Sequence, residues 1–318
     1  MRVFHQLEEL QPGSRPVCVA IGMFDGVHLG HQQVIRQAVS DAARAEGLAV
    51  VITFDRHPAS ILAPQRAPRL IQSLDRKLRV IETLGPDAVW LIRFDRAFSE
   101  QEGEAFTRAL HRAWPGLRSL HVGGAFSFGR GRSGNVALLK RLGRELGFTV
   151  HPVAAVALGG EVISSTRIRE AIRHGRFDAV QQMLGREYLL EGPVVAGDRL
   201  GRTLGFPTAN LDVSGLVLPP AGVYAVHALV GGQAHRAVLN IGHRPTLRSP
   251  EPALRVEAHL LGFQGDLYGQ RLGVRFVARL RDEARFDSLE ALRRQIALDA
   301  ARAEALMGGS AAPGAPAP

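Results

Sequence analysis

The stretch Val17–Val39, VCVAIGMFDGVHLGHQQVIRQAV, joins a short apolar run to a glycine-rich turn and then to a helical pattern. The run Val17–Ile21 is rich in β-branched residues, which predicts a buried strand. The helix is predicted over Gln32–Gly47 by apolar residues at helical spacing, namely Val34, Ile35, Ala38, Val39 and Ala42. A strand, a tight turn and a helix in this order indicate an α/β unit.

The pattern of strand and helix continues outward from this stretch. Further apolar runs at Ala49–Phe54, Ala88–Phe94 and Leu120–Val122 predict strands, and Asp75–Leu84 and Glu102–Arg112 have helical periodicity. Strands that alternate with helices of this length predict a parallel sheet covered on both faces. Ligands of such sheets bind at the carboxyl ends of the strands, so we expect a site at the turn after Ile21.

The pattern changes after about residue 185, where short strands follow one another without an intervening long helix. This predicts an antiparallel barrel or sandwich. The strand candidates are Tyr188–Val195, Val223–Val230, Ala237–Ile241, Leu254–Leu261 and Leu272–Leu280. An amphipathic helix is predicted at Ser288–Leu306. We therefore expect two domains that meet near Gly185, at residues 1–183 and 184–307, followed by a disordered tail at 308–318 that is rich in Gly, Ala and Pro.

Composition narrows the class of protein. The 318 residues contain no apolar run of about 18 residues, so we expect neither a membrane span nor a signal peptide. Cys18 is the only cysteine, which excludes an internal disulfide and fits a reducing cytoplasm. The formal charge of +9 comes almost wholly from scattered arginines, because Lys77 and Lys140 are the only lysines. With aromatics at 6%, this argues against nucleic-acid binding.

The turn Gly22–His31 carries the first candidate site. Its glycines permit a tight turn, and the helix that starts near His31 offers free N–H groups and a dipole to an anion. His28 and His31 stand three residues apart at this entrance, so both can donate hydrogen bonds to a departing pyrophosphate. The alternative is a pair of ordinary surface or capping histidines.

A second segment of this site is ISSTRIR at Ile163–Arg169. Hydroxyl groups and arginines at a helix entrance suit a phosphate, because the guanidinium group binds phosphate through two hydrogen bonds. The alternative interpretation is a plain serine or threonine cap on a helix that Gly175 ends.

The C-terminal half has no GxxxxGK[ST] motif, which excludes a Walker-type kinase. It has instead GRTLGFPTAN at Gly201–Asn210, in which Pro207 favours an extended backbone. Thr208 and Asn210 then share one face, and their oxygens are hard ligands suited to Mg²⁺ with ATP phosphates. The alternative is a polar turn that leads into a strand.

Glu257 is the candidate base of this second site. Along Leu254–Leu260 the apolar residues 254, 256, 258 and 260 alternate with Arg255, Glu257 and His259. The polar face therefore presents a carboxylate that can accept the proton of an attacking hydroxyl. Periodicity alone does not distinguish this from a solvated strand face.

Four motifs of the N-terminal half together resemble the FMN adenylyltransferase module of bacterial bifunctional riboflavin kinase/FAD synthetases, an HxGH nucleotidyltransferase with a Rossmann-like sheet. They are GMFDGVHLGH (22–31), TFDRHP (53–58), GGAFSFGRGRSGN (123–135) and ISSTRIR (163–169). The resemblance implies attack of the FMN phosphate on the α-phosphorus of ATP, with Mg²⁺ assistance and no covalent intermediate. The implied contacts with ATP and its phosphates are Gly22, Phe24, Gly26, His28, His31, Ser165, Thr166 and Arg169. His28 and His31 are the implied catalytic residues.

The C-terminal half resembles a riboflavin kinase domain, a family of six-stranded barrels. The resemblance rests on LGREYLLEGPVVAGDRLGRTLGFPTANL (184–211), GVYA (222–225), NIGHRPT (240–246), VEAHL (256–260), DLYG (266–269) and LRDEARF (280–286). It implies Gly201, Gly205 and Thr208 at ATP, Thr208 and Asn210 at Mg²⁺, and Glu257 as the base for the riboflavin 5′-hydroxyl. Asn210, Glu257 and Arg281 are the implied flavin contacts.

The hypothesis is a cytoplasmic bifunctional enzyme, monomeric or a weak homo-oligomer, that uses ATP, riboflavin and FMN and binds neither nucleic acid nor membrane. The chain departs from the family pattern modestly at Arg56, which replaces a usual proline, and more seriously at Gly124-Ala125, which precede Phe126 where an Asp or Asn is common. Gly124-Ala125 motivate an alternative, a riboflavin kinase with a weakened or lost adenylyltransferase. Another alternative is a flavin-binding regulatory protein without turnover. Residues 1–183 alone also fit an HxGH transferase for phosphopantetheine or a cytidylyl acceptor.

Overall fold

The computed structural model describes residues 1–197, 201, 205–243 and 254–308. The chain forms two compact units, one of Met1–Ile168 with Gln182–Gly185 and one of Arg169–Gln181 with Arg186–Pro318. The domain bounds 1–183 and 184–307 stay predictions. The predicted tail, beyond Gly308, and part of the NIGHRPT and GRTLGFPTAN motifs lie outside the described residues.

The first unit contains a six-stranded sheet, two small hairpin pairs and the helices that cover the sheet. Its strands are β1 (Arg2–Phe4), β2 (Val17–Ile21), β3 (Leu48–Phe54), β4 (Ala88–Ile92), β5 (Leu117–Gly123), β6 (Ser127–Phe128), β7 (Gly134–Asn135), β8 (Thr149–Val153), β9 (Ala157–Leu158) and β10 (Glu161–Val162). Its helices are α1 (Leu29–Arg44), α2 (Ala59–Leu62), α3 (Leu74–Glu82), α4 (Arg96–Ser99), α5 (Gly103–Ala113) and α6 (Val136–Leu146). The helices α7 (Ser165–Arg173) and α8 (Phe177–Leu184) follow.

The sheet is parallel in the order β1-β4-β3-β2-β5-β8. Every residue of β2 is buried, since Val19 packs in one core cluster and Ala20 in another on the opposite face. The chain builds β3 and β4 on one side of β2 and then crosses to β5 on the other side. The turns after β2 and β5 therefore leave from neighbouring carboxyl ends, which is the switch point where open α/β sheets bind ligands.

The second unit is a closed antiparallel barrel, which confirms the barrel alternative, and a C-terminal helix. The strands are β11 (Leu190–Val195), β12 (Ala209–Leu211), β13 (Gly222–Val230), β14 (Gln233–His243), β15 (Leu254–Leu260) and β16 (Arg271–Arg281), and the helix is α9 (Leu289–Met307). They are arranged in the order β11-β12-β15-β14-β13-β16. Val223, Ala225 and Val238 pack against Ala303 and Met307 of α9, so this helix covers the outer face of β13 and β14.

The structure differs from the sequence predictions in several places. Helix α1 begins at Leu29, two residues before the predicted start near His31, so His28 is its N-cap residue. The strand β12 has only three residues, too few to give a periodic signal, and α6 and β8 were not predicted. Leu254 was expected on the buried face of its strand but is 36% exposed, because it lies at the strand's first position.

Candidate active sites

The turn after β2 has a strained backbone. Phe24 and Val27 have φ angles of 51° and 39°, and Gly26 between them has 81°. Positive φ is costly for residues with a Cβ, above all for a β-branched valine, and such strain concentrates at functional sites. The Asp25 carboxylate accepts hydrogen bonds from the Ile71 backbone N–H at 3.0 and 3.3 Å, which holds the turn in place.

The two histidines of the motif lie together at the start of α1. His28 is the N-cap, and its Nδ1 accepts a hydrogen bond from the backbone N–H of His31 at 3.4 Å. The neutral His28 ring therefore carries its proton on Nε2. The two imidazole rings stack with centroids 3.6 Å apart, and the His31 ring also meets the edge of Phe24 at 5.3 Å. His28 therefore caps the helix, as the alternative interpretation expects. It also stacks on His31 at a helix N-terminus, and such a terminus can bind an anion.

The predicted residues around the histidines have different exposures. Phe24 is 1% exposed, so its side chain belongs to the core and only its backbone can meet a ligand. The Phe24 ring lies against Gly22, where a Cβ would come within 2.7 Å of it, which explains the glycine. At Gly26 a Cβ would lie 2.9 Å from Ile71.

The ISSTRIR segment reaches the same turn. The Ser165 hydroxyl donates a hydrogen bond to the Asp25 carbonyl at 2.9 Å, while the Ser164 hydroxyl accepts one from the Arg167 N–H at 3.2 Å and caps α7. Thr166 is exposed, and Arg169, one turn along α7 from Ser165, is buried. The Arg167 guanidinium bonds the carbonyls of the β9–β10 hairpin, so its role is structural.

Lys77 is a residue of this site that the sequence analysis missed. Its Nζ donates hydrogen bonds to the Phe54 carbonyl at 2.6 Å, to Thr53 Oγ1 at 3.2 Å and to the Met23 carbonyl at 3.4 Å. It therefore joins the ends of β2 and β3 beneath the turn. Burial lowers the pKa of Lys77 to about 8, an effect that Asp25 and Asp55 partly offset. The available signal was its rarity, since this arginine-rich chain has one other lysine.

Gly124 and Ala125 follow β5, the neighbour of β2, and both are exposed. The Gly124 N–H donates to the Val153 carbonyl at 3.1 Å. A Cβ on Gly124 would meet only that same oxygen, at 3.6 Å. This edge of the switch point thus has room for a larger side chain.

The second site is built on three neighbouring strands of the barrel. Glu257 of β15 lies directly opposite Asn210 of β12 on one side and Asn240 of β14 on the other. Directly opposite residues point to the same face, with Cβ atoms about 4.5–5.5 Å apart. The three side chains therefore form one polar row on the outer face of the barrel. Asn240 was not among the predicted site residues.

Glu257 and Asn240 of this row line a cavity of about 330 Å³ beneath α9. Glu257 is therefore not on an open solvated strand face. Among the described residues, nothing pairs with its carboxylate through a hydrogen bond or an ion pair. The cavity is lined by Gly201, Phe206, Thr208, Val223, Val238, Asn240, Glu257, His259, Arg281, Glu283, Ala284, Phe286, Leu292, Ile296 and Asp299.

Thr208 also lines a second, smaller cavity of about 70 Å³, bordered by residues 263 and 265–268. Thr208 is thus placed between the two spaces. A Cβ on Gly201 would clash with the Phe206 carbonyl oxygen, and Gly205 has a φ of 87°, so both predicted glycines have a backbone reason.

Arg281 lies on the cavity wall but is held by Asp299 of α9. Its Nε is 3.1 and 3.0 Å from the two carboxylate oxygens, and its Nη2 is 2.8 Å from Oδ2. Asp299 is 5% exposed and also accepts a hydrogen bond from Gln295. The guanidinium carbon lies 5.7 Å from the centre of the Phe286 ring. Asp299 therefore fixes the position of Arg281, which the sequence did not indicate.

A parallel α/β sheet with a histidine pair at its switch point, and a six-stranded barrel with an acidic residue over a cavity, define a two-domain transferase. Residues 10–167 match the FAD synthetase family, and residues 184–307 match the riboflavin kinase family. The chain belongs to the bifunctional riboflavin kinase/FMN adenylyltransferase family. It is 37% identical to that enzyme of Escherichia coli K12, over 97% of this chain and 98% of the relative. It is 34% identical to that of Bacillus subtilis 168, over 93% of each.

A solved structure described as a macrolide-efflux protein from Streptococcus pneumoniae also matches. It has a TM-score of 0.77 and 29% identity, and the match covers 93% of this chain and 96% of the other. Within the described residues of this chain, no helix has the length and apolar character needed to span a membrane.

Proposed function

We propose that this chain phosphorylates riboflavin to FMN in its barrel unit and adenylylates FMN to FAD in its α/β unit, with ATP as the donor in both. The observation that carries the proposal is the position of Glu257, between Asn210 and Asn240 on the wall of a cavity. This row combines a candidate base with two amide groups. The names of the relatives, which join both reactions, support the same conclusion.

In the kinase step the riboflavin 5′-hydroxyl attacks the γ-phosphorus of ATP, and the bond to the ADP oxygen breaks. Glu257 accepts the hydroxyl proton. The isoalloxazine ring occupies the cavity under α9, between the barrel and Phe286. Thr208 lines both cavities, so the γ-phosphoryl group passes this residue on its way from ATP to riboflavin. The rest of ATP binds in the smaller cavity, on the side of residues 263–268.

The oxygens of Thr208 and Asn210 fit a magnesium ion, because hydroxyl and amide oxygens are hard donors and the Glu257 carboxylate is on the same face. When bound, Mg²⁺ neutralises charge on the ATP phosphates. The chain's own contribution is to hold these oxygens on one extended segment and to keep Glu257 beside them on the neighbouring strand.

In the adenylyl transfer an FMN phosphate oxygen attacks the α-phosphorus of ATP, and pyrophosphate leaves. His28, with its proton on Nε2, donates a hydrogen bond to the phosphate, and His31 stacks beside it. The N–H groups at the start of α1 face the same charge. Ser165 fixes the turn through Asp25, and the exposed Thr166 is placed to contact the triphosphate.

The test is a time course of FMN and FAD from riboflavin, ATP and Mg²⁺, followed by chromatography. Wild type yields FMN first and FAD later. Glu257→Ala stops FMN formation but still converts added FMN to FAD, and His28→Ala accumulates FMN. If either variant retained both wild-type rates, the assignment of that residue would be wrong.

A second candidate, a kinase with a weakened adenylyltransferase, is supported by the exposed Gly124 and Ala125, which offer no polar side chain at the switch point. It predicts brisk FMN formation with little FAD. Ala125→Asn would then raise FAD formation about fivefold, since one added hydrogen bond contributes about 1 kcal/mol. If wild type already forms FAD briskly and Ala125→Asn forms it no faster, this candidate is rejected.

The regulatory alternative predicts that Glu257→Ala changes no turnover, so the same time course tests it. A cytoplasmic location, the absence of nucleic-acid partners and a monomer or weak homo-oligomer remain predictions. Light scattering over a range of protein concentrations tests the last of them.

A further inference from the structure

The barrel unit has another cavity, of about 250 Å³, which shares no lining residue with the cavity at Glu257. It lies where the first turns of α8 meet β13, β16 and the segment just before β11. The proposed function assigns nothing to it. It is lined by Phe177, Gln181, Glu187, Tyr188, His227, Arg275, Phe276 and Val277.

Arg275 and His227 are the polar groups buried in this cavity. They lie directly opposite each other on β16 and β13, and each is only 7% exposed. Arg275 donates from Nη1 to Glu187 Oε2 at 2.8 Å. Within the described part of the chain, Arg275 Nε, Arg275 Nη2 and His227 Nδ1 have no hydrogen-bond partner. Buried polar groups are nearly always paired, so three unpaired atoms on two residues that line one cavity need an explanation.

The unpaired atoms of Arg275 lie on one edge of the guanidinium group. Nε and Nη2 donate in parallel along that edge, and their spacing matches the two oxygens of a carboxylate. His227, facing Arg275 across the two strands, adds a third donor when its proton is on Nδ1. Three donors on two lining residues of one cavity suit an oxyanion.

The local charge argues against a polyanion. Glu187 already offsets the charge of Arg275. Burial, helped by the nearby Arg275, lowers the pKa of His227, so this ring is neutral at pH 7. A polyphosphate would therefore bring more negative charge than the cavity can balance.

The remaining wall is flat and aromatic. The rings of Phe177 and Phe276 stack with centroids 4.3 Å apart and an 11° angle, and Tyr188 lies parallel to Phe276 at 6.1 Å. The volume is below the roughly 300–1,000 Å³ typical of pockets for drug-sized ligands. A small molecule with an apolar, planar body fits both observations.

We propose that this cavity is a second ligand site, which binds a small carboxylate with an aromatic or apolar body on the Nε/Nη2 edge of Arg275 and on His227. The inference rests on the cavity alone and does not depend on the two reactions proposed above. It assigns a binding role to two buried residues that lie outside both candidate active sites.

The experiment titrates benzoate into the full-length protein by calorimetry, with benzamide as an uncharged probe of the same shape. Wild type binds benzoate saturably and benzamide not at all. Arg275→Met lowers the affinity for benzoate by about ten- to hundredfold, because it removes two charge-assisted hydrogen bonds. Arg271→Met is the matched control: Arg271 lies on the same strand and pairs with Glu191 at 3.1 Å but does not line the cavity.

If Arg275→Met does not fold, a crystal of wild type soaked in 4-bromobenzoate tests whether a carboxylate binds in the cavity. The anomalous peak of the bromine is expected inside the cavity, with the carboxylate at Arg275. Equal benzoate affinity in wild type and Arg275→Met, equal binding of benzamide, or a soaked crystal whose cavity holds only water would each overturn the proposal.

Discussion

Glu257 of β15 is the cross-strand partner of Asn210 of β12, in an antiparallel pair that joins residues 47 positions apart in the sequence. The pairing sets a candidate base beside a candidate magnesium ligand. In the proposed function the carboxylate accepts the proton and the amide binds Mg²⁺, so substitutions at Glu257 and Asn210 should have different effects.

Replacement of Glu257 by Gln keeps the size of the side chain and removes the base. We expect riboflavin phosphorylation to fall by about 10²- to 10⁴-fold, the usual contribution of a general base. FAD formation from added FMN and the melting temperature should stay at the wild-type values. Glu290→Gln on the exposed face of α9 is the control. Wild-type phosphorylation in Glu257→Gln would exclude Glu257 as the base.

His28 has a capping role and a proposed catalytic role, and two substitutions separate them. Asn is a good N-cap, so His28→Asn should retain stability while FAD formation is lost. His28→Ala should lose FAD formation and also about 1 kcal/mol of unfolding free energy. Chromatographic assays and urea denaturation measure the two effects. FAD formation by His28→Asn at the wild-type rate would show that the ring acts only as a cap.

The ion pair of Arg281 with the buried Asp299 ties β16 to α9. Asp299→Ala should lower the unfolding free energy by about 3 kcal/mol, because it leaves a partly buried guanidinium unpaired. It should also raise the KM for riboflavin, since Arg281 lines the cavity. The double variant Arg281→Met/Asp299→Leu should regain most of the stability but not the KM. If the double variant were as unstable as Asp299→Ala, the unpaired charge would not be the cause.

The buried His121 makes the unfolding free energy of the first unit depend on pH. It is 2% exposed, and burial lowers its pKa to about 4, although its Nε2 lies 2.9 Å from Asp41 Oδ2. The unfolded chain therefore binds the proton more readily than the folded one. The unfolding free energy should fall by up to about 3 kcal/mol as the pH drops from 6.5 to 4.

The measurement for His121 is urea denaturation across that pH range in wild type, His121→Gln and His151→Gln. His151 is the matched control, because it lies opposite His121 on β8 but is exposed. His121→Gln should flatten the pH dependence, and His151→Gln should leave most of it, because burial is the main cause of the lowered His121 pKa and the charge of His151 is a smaller one. Equal pH dependence in wild type and His121→Gln would show that another group is responsible.

The sequence determined the elements whose signals are local. Val17–Ile21 is apolar and β-branched, so its burial follows from its composition, and the structure gives the same bounds. The histidine pair and the alternation around Glu257 could be predicted, because a turn and a strand fix side-chain direction over a few residues. The strand β12 escaped prediction, since three residues are stable only through pairing with β11 and β15.

Tertiary structure alone decided which distant residues meet. The register of β14 and β15 puts Asn240 opposite Glu257. Lys77 of α3 bonds the Phe54 carbonyl beneath the turn, and Asp299 of α9 pairs with Arg281. Arg275 and His227 had no motif at all, and only the closure of the barrel set them in one cavity. The physical reason is that strand register and helix docking depend on burial summed over the whole core, which no local pattern contains.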